Sequence, residues 1–213
     1  MRLYLASTSP ARLATLRAAG IEPIVVPSEV DEDEAVRVAE AADGPLSPSA
    51  MVELLAKAKA EAVLATLIDG APINGLVLGG DSAFVLDDTI YGKPHTPEVA
   101  RERWHLQRGR TGHLYSGHWL IDHRGGMVNS AVGEVAVAAV TFANDISDAE
   151  LDAYIASGEP LKVAGAFTID SLGAPFIERI EGDPSTVVGV SVPTLRRLAG
   201  RLDVFWPDLW NRP

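Results

Sequence analysis

The chain has 213 residues, 29 acidic and 18 basic side chains, a formal net charge of -11 at pH 7, and no cysteine. A chain of this length favours one large domain that buries its core without disulfide bonds. The absence of cysteine excludes disulfides, thiolate metal sites and a cysteine nucleophile. The acidic balance argues against nucleic acids and anionic membranes as partners, because binding to either requires a broad basic surface.

The N-terminal residues do not have the pattern of a targeting segment. Residues 1–6 are largely apolar, but the chain turns polar at Ser7, short of the about 7–15 apolar residues of a signal peptide. No apolar run approaches the about 20 residues that a transmembrane helix requires. We therefore expect a soluble, cytoplasmic protein without a membrane partner.

Predicted strands and helices alternate in the first half of the chain. Residues 3–6 form a predicted strand, and Ser9 followed by a proline marks the start of a helix that ends before Gly20. The same Ser/Thr-Pro start recurs twice, Ser147 opens a capping box, and an acidic run marks one more helix start. Further helices are therefore predicted over residues 31–42, 48–67, 97–108 and 148–157.

Strand signals continue to the C-terminal third of the chain. Apolar runs predict strands over residues 24–26, 76–78, 83–86, 113–121, 127–142, 167–169 and 175–180. A glycine-containing turn at residues 122–126 joins two of these strands into a hairpin. Alternating strands and helices followed by hairpins indicate an α/β protein with a mixed, twisted sheet flanked by helices.

The connection between the first strand and the first helix is a candidate anion site. Ser7, Ser9 and Arg12 surround a predicted helix N-terminus, where free backbone N–H groups and the helix dipole favour a phosphate. The alternative is that Ser9 only caps the helix, as serine commonly does.

A second candidate is the sequence Gly79-Gly80-Asp81-Ser82. We interpret the two glycines as the end of an apolar strand, and ligands of open α/β sheets bind beyond the carboxyl ends of strands. Asp81 in that place can hold Mg²⁺ or orient a water, and the glycines allow a ligand to approach the backbone. The alternative is a tight turn with a solvated aspartate.

The lysines are a third group of candidate site residues. The chain has only 4 lysines against 14 arginines, so lysine is kept at few positions. Lys93 lies between a glycine and a proline, and a stiff turn would aim its ammonium as phosphate binding requires. The alternative is an exposed turn lysine. Lys57 and Lys59 lie about 200° apart on a helix, so at most one of them faces a given site.

Other polar residues carry no specific site. An acidic run at residues 29–34 is typical of a solvated helix start, and by itself it favours no one carboxylate as a metal ligand. The five histidines lack the spacing of a metal-binding helix, so we expect surface or packing roles for them.

Taken together, the ordered motifs closely resemble the Maf family over roughly residues 3 to 198. The resemblance implies an inosine-triphosphatase-like α/β fold, arranged as a single domain over residues 1–213 with two lobes around a central cleft. It implies a cytoplasmic, homodimeric enzyme that splits a nucleoside triphosphate into the monophosphate and pyrophosphate with Mg²⁺ or Mn²⁺. The motifs are Ala6-Ser7-Thr8-Ser9-Pro10, Val30-Asp31-Glu32, Lys59-Ala60-Glu61-Ala62, Gly79-Gly80-Asp81-Ser82 and Gly92-Lys93-Pro94.

The resemblance also implies roles for individual residues. The family's catalytic aspartate, a proton acceptor, corresponds to Asp81, and its Val-Asp-Glu glutamate corresponds to Glu32. Both carboxylates are then metal ligands, and Lys93 joins them as a catalytic cation. The implied substrate-binding residues are Ser7, Ser9, Arg12, Lys59, Ser82 and Asp170.

Three departures from the pyrimidine-specific branch of the family bear on the base. This chain has Ala11, Ser82 and Asp170 where that branch has arginine, threonine and glutamine. A glutamine amide both donates and accepts, whereas an ionised aspartate only accepts. We therefore expect weak hydrolysis of dTTP and UTP, and a preference for a modified, non-canonical or guanine-like nucleotide.

The resemblance leaves a second hypothesis open, because the family is also named for inhibition of septum formation. In that reading the chain regulates cell division through protein interaction, and hydrolysis is incidental. The sequence marks no partner surface.

Overall fold

A computed structural model of the protein describes residues 1–212 and contains both helices and strands along its whole length. The α-helices are α1 (Pro10–Ala18), α2 (Glu32–Asp43), α3 (Pro48–Ala62), α4 (Pro97–Gln107), α5 (Asp148–Ala156), α6 (Pro184–Val188) and α7 (Val192–Arg201). The strands are β1 (Leu3–Ala6), β2 (Ile24–Val25), β3 (Leu67–Ile68), β4 (Ala71–Pro72), β5 (Gly75–Leu86), β6 (Thr89–Tyr91), β7 (Thr111–His123), β8 (Ser130–Phe142) and β9 (Ile177–Glu181).

Seven of these strands form one mixed sheet. Its order is β2-β1-β5-β7-β8-β9, and β6 pairs with β5 away from that path. Strand β1 runs parallel to β2 and β5, whereas β6 and β9 run antiparallel to β5 and β8. The predicted α/β class with a mixed sheet is therefore confirmed. Strands β3 and β4 form a separate two-stranded sheet.

The chain divides into two compact units, each with its own core. The first comprises residues 1–81, 116–136 and the chain from Gly189 onward, and the second comprises residues 82–115 and 137–188. The core of the first unit includes Leu5, Leu78 and Leu120 from the sheet. The core of the second contains aromatic rings in edge-to-face contact, among them Phe84 and Phe142. The single-domain organisation with a central cleft stays a prediction.

The predicted helix starts are confirmed by their caps. Ser9, Ser47, Thr96 and Ser147 each accept a hydrogen bond from the backbone N–H three residues on, and Ser147 forms the full capping box. Helix α3 nevertheless ends at Ala62 and not at residue 67, because residues 67–68 pair with β4 instead.

Helix α7 is missing from the sequence prediction. Ser191 caps it, and its proline occupies the second helical position instead of the first. The missed signal was the pair Leu195 and Leu198, which are spaced three apart and are fully buried in the core of the first unit.

Two strand predictions are wrong. Residues 167–169 are not a strand, and Phe167 packs into the aromatic core of the second unit instead. Residues 76–78 and 83–86 are not separate strands, because β5 runs unbroken through Gly79, Gly80 and Asp81. The interpretation of the glycines as a strand end is therefore wrong, and so is its alternative of a tight turn.

The glycines of β5 have a packing role instead. Gly79 pairs with Ala6 at the end of β1, and helix α3 crosses directly over it. A Cβ at Gly79 would lie 2.8 Å from the backbone nitrogen of Ala60 and closer still to the carbonyl oxygen of Ala56. Only glycine lets α3 lie this near the sheet.

We expect Gly79→Ala to destabilise the protein by at least about 1–3 kcal/mol, because backbone atoms must move to admit the methyl group. Urea unfolding measures the change. Gly200→Ala in α7 is the matched control, since nothing lies within 4 Å of its added Cβ. The control should be neutral or slightly stabilising, and equal effects of the two substitutions would contradict the packing explanation.

Candidate active site

The turn between β1 and α1 is organised by serine side chains. The Ser7 hydroxyl accepts hydrogen bonds from the Ser9 backbone N–H at 3.2 Å and from the Arg12 guanidinium at 3.1 Å. The Ser9 hydroxyl accepts from the Arg12 backbone N–H at 3.4 Å, so Ser9 does cap α1. The positive end of the helix dipole at the N-terminus of α1 favours an anion.

Arg12 places a buried positive charge behind this turn. Its side chain packs over Gly80, where an added Cβ would lie 3.3 Å from the guanidinium Nε. That Nε donates to the carbonyl of Gly189 at 3.0 Å. Burial lowers the pKa of Arg12, and the charges of Asp81 and Glu32 oppose that shift. Gly80 thus makes room for a cation.

Lys59 joins two carboxylates. Its ammonium lies 2.7 Å from Oδ1 of Asp81 and 2.8 Å from Oε1 of Glu32. The side chains of Lys59 and Asp81 are 9% and 12% exposed, whereas that of Glu32 is 50% exposed. Burial raises the pKa of Asp81, although the charges of Lys59 and Arg12 oppose the rise. Asp81 is therefore a buried carboxylate with increased basicity.

The prediction that only one of two neighbouring lysines faces a site is confirmed. Lys57 is about half exposed and lies over the ring of Trp119, with its ammonium 5.3 Å from the ring centroid. Lys59 is buried and contacts the carboxylates instead.

The parallel pair β1 and β5 explains why these residues meet. Strand β1 ends at Ala6, whose partner is Gly79, and the chain then turns away into α1. Strand β5 continues for two more residues to Asp81, which therefore lies just beyond the carboxyl end of β1. The predicted residues meet at a strand end, but the strand that ends there is β1 and not β5. The first unit thus brings together Ser7, Ser9, Arg12, Glu32, Lys59 and Asp81.

The remaining predicted site residues belong to the second unit. Ser82 is half-buried on β5, Lys93 is exposed on the loop after β6, and Asp170 is exposed on the loop that precedes β9. Their roles stay predictions.

Sequence reasoning missed the residue that orders the loop of Asp170. The Glu159 carboxylate accepts hydrogen bonds from the hydroxyls of Tyr154, Thr168 and Ser171 and from two backbone N–H groups of that loop. Burial opposes ionisation of Glu159, but these hydrogen bonds outweigh it and lower its pKa. No local pattern points to Glu159, since most of its partners lie 9 to 14 residues on.

Arg103 supports the segment of Lys93 in a similar way. Its guanidinium donates to the carbonyl of Gly92 and lies 5.5 Å from the ring centroid of Tyr91. Burial lowers the pKa of Arg103. The sequence carries no signal for this contact beyond the presence of an arginine on α4.

Two of the histidines have the expected packing role. His118 and His123 are buried, and their rings contact backbone carbonyls.

Within residues 1–212, no group of three or more histidine, cysteine, aspartate or glutamate residues is arranged to hold a metal ion. No helix in that range is both long and apolar enough to cross a membrane.

Comparisons with known proteins give matches over almost the whole chain. The family model described as Maf-like protein matches residues 2–202. A protein of Leifsonia xyli subsp. xyli, named nucleoside triphosphate pyrophosphatase, is 73% identical over all of this chain and 98% of its own length. Proteins of the same name from Nocardia farcinica and Mycolicibacterium gilvum are 50% and 46% identical over 99% of this chain and 97% and 99% of their own lengths.

We expect Glu159→Gln to lower the free energy of unfolding by about 1–3 kcal/mol at pH 7, because the amide nitrogen cannot accept from the loop donors. The pKa of Glu159 in the folded protein lies below its ordinary value of 4.5. Its stabilising contribution is therefore complete above pH 4.5 and is lost as the pH falls through the lower, folded value. Urea unfolding at pH 7 and at pH 3.5, roughly one unit below the ordinary value, should show the difference shrinking.

The matched control is Glu178→Gln, which alters an exposed glutamate of the same unit. It should change stability by less than about 0.5 kcal/mol. A Glu159→Gln effect that does not depend on pH would contradict the role of the ionised carboxylate.

Proposed function

The chain belongs to the Maf-like protein family, and on that premise we propose that it hydrolyses a nucleoside triphosphate to the nucleoside monophosphate and pyrophosphate. The observation that carries the proposal is the cluster in which buried Lys59 contacts buried Asp81 and half-exposed Glu32, beside Arg12. The relative from Leifsonia xyli, at 73% identity, supports it through its name.

In this proposal Asp81 is the proton acceptor. A water oxygen forms a bond to the α-phosphorus, the bond from that phosphorus to the α–β bridging oxygen breaks, and pyrophosphate leaves with the electron pair. The proton of the attacking water passes to Asp81. Burial raises the pKa of this carboxylate, which makes it a better base for that step.

In this proposal Arg12 and Lys59 are the cations that bind the substrate phosphates. Arg12 is fixed by Ser7 and by the carbonyl of Gly189, so its charge is held in place before substrate binds. Lys59 supplies a compact charge beside Asp81. Phosphoryl transfer depends mainly on positioning and charge stabilisation, so fixed cations next to a buried base suit it.

We propose Asp81 and Glu32 as the protein ligands of a divalent cation, Mg²⁺ or Mn²⁺. Their oxygens share one ammonium, so the two carboxylates already lie side by side. Magnesium is commonly bound by one or two carboxylates together with substrate phosphates, which fits a donor set of two. Such an ion would neutralise charge on the leaving pyrophosphate.

We further propose that Asp170 selects against uracil and thymine. Its ionised carboxylate only accepts hydrogen bonds and would repel their carbonyl oxygens, whereas guanine presents adjacent N–H donors. The chain then acts on a modified or guanine-like nucleotide. It would be a house-cleaning enzyme, one that removes unwanted nucleotides from the pool. The loop of Asp170 is ordered through Glu159, so its carboxylate is carried on a defined backbone.

We expect Asp81→Asn to lower kcat for metal-dependent pyrophosphate release by about 10²–10⁴-fold, the usual contribution of a general base. Pyrophosphate and the monophosphate are both quantified, with Mg²⁺ and with Mn²⁺. The control is Asp122→Asn, which alters another buried aspartate of the first unit that is paired with Arg124. The control should retain kcat within about twofold, and full activity of Asp81→Asn would refute the assigned role.

A panel of normal and modified nucleoside triphosphates tests the base preference. We expect dTTP and UTP to be poor substrates, and Asp170→Asn to raise their kcat/KM relative to that of GTP by about tenfold, since the amide can also donate. The control is Asp145→Asn, an exposed aspartate of the same unit. If dTTP or UTP is clearly the best wild-type substrate, the proposed selectivity is wrong.

A further inference from the structure

His118 on β7 is completely buried, and both of its ring nitrogens face backbone groups. Nε2 accepts a hydrogen bond from the backbone N–H of Ser191 at 2.8 Å, and Nδ1 lies 3.3 Å from the carbonyl oxygen of Glu134. Since a backbone N–H can only donate, Nε2 is unprotonated and Nδ1 carries the proton. The neutral ring therefore joins the backbones of Ser191 and Glu134 through two hydrogen bonds. Burial lowers the pKa of His118 to about 4.

The backbone that His118 holds is also the backbone that holds Arg12. Ser191 lies two residues after Gly189, whose carbonyl accepts from the Arg12 guanidinium Nε at 3.0 Å. Gly189 has a φ of +115°, so the chain makes a sharp change of direction there that other residues rarely adopt. The segment from Gly189 to Ser191 is thus tied to His118 on one side and to Arg12 on the other.

The cap of α7 also anchors this segment. The Ser191 hydroxyl accepts from the Thr194 backbone N–H at 3.3 Å and so caps α7, which fixes the segment to the helix that follows. The cap acts through the Ser191 side chain, whereas the bond to His118 holds the peptide between Val190 and Ser191, which adjoins the peptide of the Gly189 carbonyl. The bond from Ser191 to His118 supplies the second anchor.

We propose that His118 is a positioning residue for Arg12, acting through the segment from Gly189 to Ser191. The inference rests on the proposed function, in which Arg12 binds substrate phosphate. Without His118, the Ser191 N–H loses its buried acceptor and the segment shifts, so that the Gly189 carbonyl no longer orients the Arg12 guanidinium. A cation held out of place binds phosphate less well, even when its charge is unchanged.

Two amide variants of equal charge separate positioning from packing. The carbonyl oxygen of the longer side chain in His118→Gln can reach the Ser191 N–H, whereas that of the shorter side chain in His118→Asn cannot. We expect His118→Asn to raise KM for the best nucleotide about tenfold with kcat changed less than threefold, and His118→Gln to stay within about threefold in both. His118→Leu, which fills the volume without an acceptor, should behave as His118→Asn does.

A double-mutant cycle with Arg12→Gln shows whether the effect passes through the guanidinium. We expect no further loss from His118→Asn when Arg12 is already removed, because there is then no cation left to position. The affinity for inorganic pyrophosphate in Mg²⁺, measured by calorimetry, follows the same cycle without turnover.

His123→Asn is the control, since His123 is buried on the same strand and bonds the Ile73 carbonyl at 2.8 Å. It should lower the unfolding midpoint and leave KM unchanged.

The outcomes separate this inference from the proposed function. A wild-type chain that releases pyrophosphate from no nucleotide would overturn the proposed function, while the pyrophosphate affinities would still test the link from His118 to Arg12. Equal impairment by His118→Gln and His118→Asn would overturn the positioning role. So would a His118→Asn effect of the same size with and without Arg12.

Discussion

The first unit is built around one ion cluster, in which the ammonium of buried Lys59 contacts buried Asp81 and half-exposed Glu32. Removing charges from water is costly, and the cost is offset only when the charges are paired at close range. This pairing requires α3 to lie very near β5, which is possible because Gly79 has no side chain. The cluster therefore constrains the strand, the helix and the spacing between them.

A second close approach serves the other cation. Gly80 leaves room for Arg12, which is then held by Ser7 and by the carbonyl of Gly189. The two adjacent glycines of β5 thus accommodate two different neighbours, a helix backbone and a guanidinium. Their sequence resembles a flexible turn, but in the structure both lie inside an unbroken strand, covered by α3 and by Arg12.

In both units the residues that order functional segments are buried or half-buried polar side chains with several partners. His118 bridges two backbone groups in the first unit, and Glu159 accepts five hydrogen bonds in the second. Such side chains satisfy backbone groups that would otherwise be buried without partners. They also hold backbone that lies far along the chain, 73 residues away for His118 and 13 to 14 residues away for Glu159.

The sequence by itself determined the starts of α1 to α5, the α/β class and the family, because caps, periodicity and motif order are read directly along the chain. It could not show that β5 continues through Asp81, since the glycines are explained only by what packs against them. The tertiary structure alone decided that Arg12 bonds Gly189 and that Lys59 bonds Asp81, partners that lie 177 and 22 positions away in the chain. Such contacts depend on which surfaces the folded chain brings together, and no local pattern encodes them.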